Sequence, residues 1–233
     1  MKALKIVLFV LLSLLLCLSL FQAIRLLSLP YMKDGVVYNG HTYGFLPSSS
    51  SYCYFLPQSE YQVEKAIGRF DDAIIYTLKN DPDEFYLYPK VFLPHLGYKL
   101  LCRLDKMPLP GDGNAEIDYM ELFIKNKENG ANADGSNTLI LNKDDENCII
   151  DAFINRDDIL TGQWEETKES EAYPLLIHFQ RPIGLCYWTK VVKYGDDYGV
   201  LLEDGKTLIR VPNTWGRFFS VSRLTIKSQD QNR

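Results

Sequence analysis

Histidine is scarce: 233 residues hold three, His41, His95 and His178, none close to another along the chain. That spacing excludes the H-E-x-x-H zinc helix, whose two imidazoles must stand one turn apart. No G-x-S-x-G elbow, S-x-x-K pair, Walker A loop or G-x-G-x-x-G turn is present, so the usual hydrolase, nucleotide and dinucleotide signatures are missing. The five cysteines contain no C-x-x-C, which removes the sequence-local redox pair and the zinc knuckle. A Cys–His pair would have to be assembled by the fold from distant positions. His178 lies inside the apolar run Leu175–Phe179 and reads as a core or edge histidine, whereas His41 follows a turn and reads as exposed.

Acidic residues are absent from the first 30 positions, which hold only Lys2, Lys5 and Arg25 as charged side chains. The remaining chain therefore carries 22 of the 25 cationic and all 30 acidic residues. A body that negative repels phosphate backbones, so nucleic acid is not an expected partner. Hydrophobic residues make up 46% of the chain and there is no G-x-y period, which excludes disorder and collagen-like structure.

From Ile6 to Ile24 runs an uncharged segment of 19 residues, interrupted only by Ser13, Ser19 and Gln22. As a helix it would extend roughly 28 Å, close to the thickness of a bilayer core. Lys2, Lys5 and the terminal amine favour a cytoplasmic amino terminus. The expectation is a retained signal-anchor over 6–24, preceded by a short cytoplasmic stretch over 1–5. A cleaved signal, giving a secreted protein, is the alternative. It is disfavoured by the bulky Phe21 two positions before Ala23 and by a run longer than the usual apolar core of a signal peptide. Lipidation at Cys17 would want a small residue just before it, where Leu16 stands.

Beyond the anchor the reading is a juxtamembrane linker over 25–35, an extracytoplasmic β-rich domain over 36–227 and a disordered tail over 228–233. The Pro- and Gly-rich stretch 106–116 marks a subdomain break. Asn39-Gly40 between β-prone residues predicts a tight hairpin, and Asp204-Gly205 another. Strands are expected over 52–56, 73–78, 85–88, 98–104, 117–125, 138–141, 175–179, 185–192, 199–202, 207–211 and 219–226. Residues 59–68 read as a short helix or turn. The clearest soluble helix begins near Asp144 or Asp145 as cap and carries the face Ile149, Ala152 and Phe153. Phe-Leu-Pro recurs at 45–47, 55–57 and 92–94, which strands ending at a proline explain as well as duplication would. The class is α+β, mainly antiparallel β with one or two short helices packed on the sheet.

Chemistry is sparse in this reading. Cys53, Cys102, Cys148 and Cys186 form an even set in apolar surroundings and read as buried thiols, with three connectivities open if they pair. Asp112-x-Asn114-x-Glu116-x-Asp118 alternates oxygen donors, but Ile117 and Phe123 replace the glycine and the glutamate that an EF-hand requires. The Asp196-Asp197 pair reads as turn chemistry. No catalytic residue, cofactor or metal ligand is assigned. Aromatics are the one excess, 15 Tyr, 12 Phe and 3 Trp. Tyr52 and Tyr54, like Tyr86 and Tyr88, each point to one face of a strand and are the candidate binding surface. The function expected is a membrane-tethered binding or accessory module, with an envelope protein or glycan as partner. The alternative is an extracytoplasmic hydrolase whose site is built from distant residues.

Overall fold

Two positive-φ residues begin the first sheet. Asn39 (φ 48°) and Gly40 (φ 80°) turn the chain between β1 (Val36–Tyr38) and β2 (His41–Gly44). Both central positions of this turn need φ > 0, which is why Asn-Gly is favoured there. The computed structural model describes residues 2–47, 50–55, 62–91, 99–113, 115–125, 136–165 and 171–220. His95 and the third Phe-Leu-Pro lie outside them, as do Asn114 of the acidic loop and the tail over 228–233.

Two compact units divide the chain, one from Met1–Leu46 with Pro57–Met107, the other from Pro47–Leu56 with Pro108–Arg233. Each division falls at an X–Pro step, where the preceding residue is biased towards extended backbone.

The first unit holds a six-stranded sheet of β1, β2, β4 (Val63–Phe70), β5 (Ala73–Leu78), β6 (Tyr86–Val91) and β7 (Leu101–Arg103), in the order β1-β2-β7-β6-β5-β4. Val36, Tyr43, Ala73, Ile75, Leu87 and Leu101 form its core. Burying each large apolar side chain contributes about 1.5–3 kcal/mol. The helix or turn expected over 59–68 is corrected here: residues 63–70 are β4, and 56–61 lie outside the described residues. Two register shifts between Val63 and Gly68 break the alternation that would have marked the strand. Gly68 lets the chain after the first helix pass close by, since a Cβ there would stand 3.2 Å from the Pro30 carbonyl oxygen. Met32 N donates to Arg69 O and Arg69 N to Pro30 O, both at 2.9 Å, so part of the expected linker is hydrogen-bonded to β4.

That first helix, α1, spans Lys2–Leu27. Its described side chains from Phe9 to Arg25 are exposed on every side. Among the described residues no helix is long and apolar enough to cross a membrane.

The second unit is built on an eight-stranded sheet. Its strands are β3 (Tyr52–Tyr54), β8 (Glu116–Lys125), β9 (Ser136–Ile140), β10 (Ile159–Thr161), β11 (Glu171–Arg181), β12 (Leu185–Tyr194), β13 (Asp197–Leu201) and β14 (Leu208–Val211). The order is β10-β14-β13-β12-β11-β8-β9, and β3 pairs with β12. All pairings between named strands are antiparallel among the described residues, so the class is α+β and β-rich.

Helix α2 (Lys143–Ile154) buries Ile149, Ala152 and Phe153, the face its spacing predicts. Its cap is a correction: Asn142, not Asp144 or Asp145, accepts the Asp145 N–H at 3.0 Å. The strand expected over 219–226 is also corrected, because α3 (Gly216–Ser220) takes its first two residues and the rest lie outside the described set. Trp215, Phe218 and Phe219 are all buried, an i, i+3, i+4 spacing that belongs to a helix.

Gly199 is a packing requirement of this sheet. A Cβ there would stand 2.9 Å from Ile209 O and 3.3 Å from Leu208 Cβ. Gly199→Ala is expected to lower unfolding stability by about 1–3 kcal/mol, read as a lower urea midpoint at unchanged slope.

Candidate functional site

The strand register of the second unit assembles one row of side chains from four separate strands. Cys53 on β3 is the partner of Cys186 on β12, Cys186 is the partner of His178 on β11, and His178 is the partner of Tyr119 on β8. Directly opposed residues share a face of the sheet, so the four side chains project together. The pairing slips at His178/Phe179, immediately beyond this row. Such bulges re-aim the side chains beside them.

Contacts run along the row. Cys186 Sγ lies 3.2 Å from His178 Nδ1, and His178 Nε2 lies 3.3 Å from Glu121 Oε2. The Tyr119 ring stacks on the imidazole with centroids 4.1 Å apart and 14° between planes. Phe55 lies on the same imidazole at 6.4 Å. An ionised carboxylate only accepts hydrogen bonds. Glu121 therefore favours the proton on Nε2, which leaves the Nδ1 lone pair directed at Cys186. This is the arrangement of a carboxylate-held histidine acting as base towards a thiol.

The two thiols differ in environment. Cys53 is half-buried and Cys186 fully buried. The hydrogen bond from Cys186 holds the Cys53 thiol below the ordinary cysteine range; burial opposes this and Trp188 assists it. Cys186 is pushed far up, by its hydrogen bond with Cys53 and by burial. Cys186 thus has His178 Nδ1 3.2 Å from its sulfur and Cys53 as its register partner across the strand pair.

The arrangement does not suit acyl transfer. A nucleophile for that reaction must both touch the base and reach the substrate. Here the sulfur against the imidazole is the buried one, and the more accessible sulfur is its neighbour. Among the described residues no group of three or more His, Cys, Asp or Glu is placed to hold a metal ion.

The tyrosines singled out from sequence lie on two different sheets. Tyr52 and Tyr54 are half-buried on β3. The Tyr52 hydroxyl donates to Pro108 O at 2.9 Å and its ring meets Tyr187 edge-to-face, while burial and then Tyr187 push its pKa up. Tyr86 on β6 is 2% exposed and packs edge-to-face on Phe85, and Tyr88 is half-buried opposite Tyr76. His41 is half-exposed, with Nδ1 2.8 Å from Asp105 Oδ2. That hydrogen bond holds the Asp105 carboxyl below its usual range.

The row was not readable in the sequence, because its members are far apart and only strand register brings them together. The one available signal was His178 and Cys186 flanking a turn within a single strand–turn–strand stretch. No family model matches the chain, and comparison with curated proteins and with solved structures finds no match.

A lowered Cys53 pKa has a measurable sign. The thiolate is the reactive form, so Cys53 should alkylate with a pH midpoint below the ordinary value of about 8.5. Cys186→Ala removes the hydrogen bond that lowers it, and the midpoint should move up. Peptide-resolved iodoacetamide labelling across pH reads both.

Proposed function

We propose that the chain is a membrane-tethered extracytoplasmic module, held by α1 and serving as a binding or accessory domain at the cell envelope. The observation that carries this reading is the surface of α1. From Phe9 to Ile24 its described side chains are apolar or small and neutral apart from Gln22, and all are exposed. A helix apolar on every side needs an apolar surrounding on every side. Lys2 and Lys5 before the run support a cytoplasmic amino terminus by the positive-inside rule. The acidic body is unsuited to nucleic acid, and an envelope protein or glycan is the partner class this reading favours. The burial of Cys186 beside His178 weighs against a hydrolase.

The test is protease treatment of intact cells expressing the chain with a carboxy-terminal tag, with mass measured in the membrane fraction. Loss of the tag from a membrane protein of otherwise full-length mass is the expected result. A protected tag would overturn the topology. A mass lacking the first 23 or so residues, as expected of a cleaved signal, would overturn the tether.

A further inference from the structure

We propose that Cys53 and Cys186 form a thiol–disulfide exchange pair, in which Cys53 attacks, Cys186 resolves, and His178, held by Glu121, takes the proton of Cys186. This goes beyond the tethering proposal and does not depend on it. Four observations converge. The two cysteines are register partners on adjacent antiparallel strands. Opposed residues of such a pair have Cα atoms about 4.5–5.5 Å apart, inside the range a disulfide bridges. The attacking thiol of an exchange site must be accessible and the resolving thiol need not be, which matches half-buried Cys53 and buried Cys186. The resolving thiol needs a base, and His178 Nδ1 is 3.2 Å from its sulfur with Glu121 behind the ring. Finally β3 is three residues long and, among the described residues, pairs with β12 alone, so within that set Cys53 stands at a sheet edge.

The chemistry balances with a disulfide R–S–S–R′ as co-reactant. The Cys53 thiolate attacks one sulfur, the S–S bond breaks and R′–S⁻ leaves, giving Cys53–S–S–R. Cys186 gives its proton to His178 Nδ1 and its sulfur attacks Cys53 Sγ, forming the Cys53–Cys186 bond and releasing R–S⁻. Two electrons pass from the dithiol to the incoming disulfide, and the released thiolates take one proton from the imidazolium and one from water. The surroundings of Cys53 indicate the substrate class. Phe55 is exposed, Trp188 is partly so, and Tyr119 covers the imidazole. Aromatic walls of this kind suit a disulfide carried on a polypeptide better than a small, highly charged one.

Full-length protein, reduced and held in detergent micelles, is mixed with oxidised glutathione in one arm and with insulin as a disulfide-bonded polypeptide in the other. Non-reducing peptide mapping is expected to find a Cys53–Cys186 cross-link, formed faster with insulin. Faster reaction with glutathione would overturn the polypeptide assignment. Cys186→Ser should accumulate a mixed disulfide on Cys53, and Cys53→Ser should form neither species. His178→Gln should slow resolution of the mixed disulfide by about a hundredfold while leaving its formation nearly unchanged. Glu121→Gln, whose amide oxygen still accepts from Nε2, should keep part of the rate that Glu121→Ala loses, again in the resolving step alone. A folding defect would slow both steps together and so gives a different pattern. Absence of the Cys53–Cys186 cross-link in the unmutated protein, or equal labelling of Cys148, would overturn the proposal without touching the tether.

Discussion

The register of the β11–β12 hairpin is the constraint on which the second unit depends. Eight consecutive partners, from Glu171↔Lys193 to His178↔Cys186, fix which side chains face the core. Tyr187, Ile177 and Met120 fall on one face and are fully buried, whereas Cys186, His178 and Tyr119 fall on the other. Side chains alternate with a period of two, so a slip of one residue would exchange the two sets. The transfer free energy of that buried face therefore also holds the thiol–imidazole row in place. Site geometry and core packing are one decision made by the same hydrogen-bonded ladder.

Much of this architecture was legible because it is local. Asn39-Gly40 needs left-handed backbone at both positions and so announces its hairpin. The strand pair 73–78 and 85–88 is joined by a turn rich in Asp and Pro, and residues 185–192 are set off as a strand by Pro182 and Gly184 before them and Gly195 and Asp196 after. Helix α2 was visible from the spacing of Ile149, Ala152 and Phe153. Its cap was misplaced because three of the four residues from Asn142 to Asp145 are good caps, and only backbone geometry decides among them.

What was hidden is what depends on register or on irregularity. β4 escaped because two register shifts within it destroy the two-residue period. Trp215, Phe218 and Phe219 sit in an aromatic stretch with β propensity, yet their spacing buries all three along a helical turn. Tyr86, two residues from Tyr88 on β6, is buried, because alternation says only that two faces differ and not which is wet. The Cys53–Cys186–His178–Tyr119 row needs the pairing of four strands before any two of its members are neighbours.

The position of β3 has a consequence for chain topology. Cys53 and Cys186 are separated by about 130 residues, and the whole segment from Pro57 to Met107 of the first unit lies between them. A bond joining the two sulfurs would make that segment an excursion within a covalent ring closed in the second unit. Closing a ring of this size removes conformational freedom from the unfolded chain worth up to about 5 kcal/mol at room temperature. The electron state of two sulfur atoms would then set how far the chain between them can expand when it unfolds, so that resistance to heat or proteolysis becomes a readout of the surrounding redox poise.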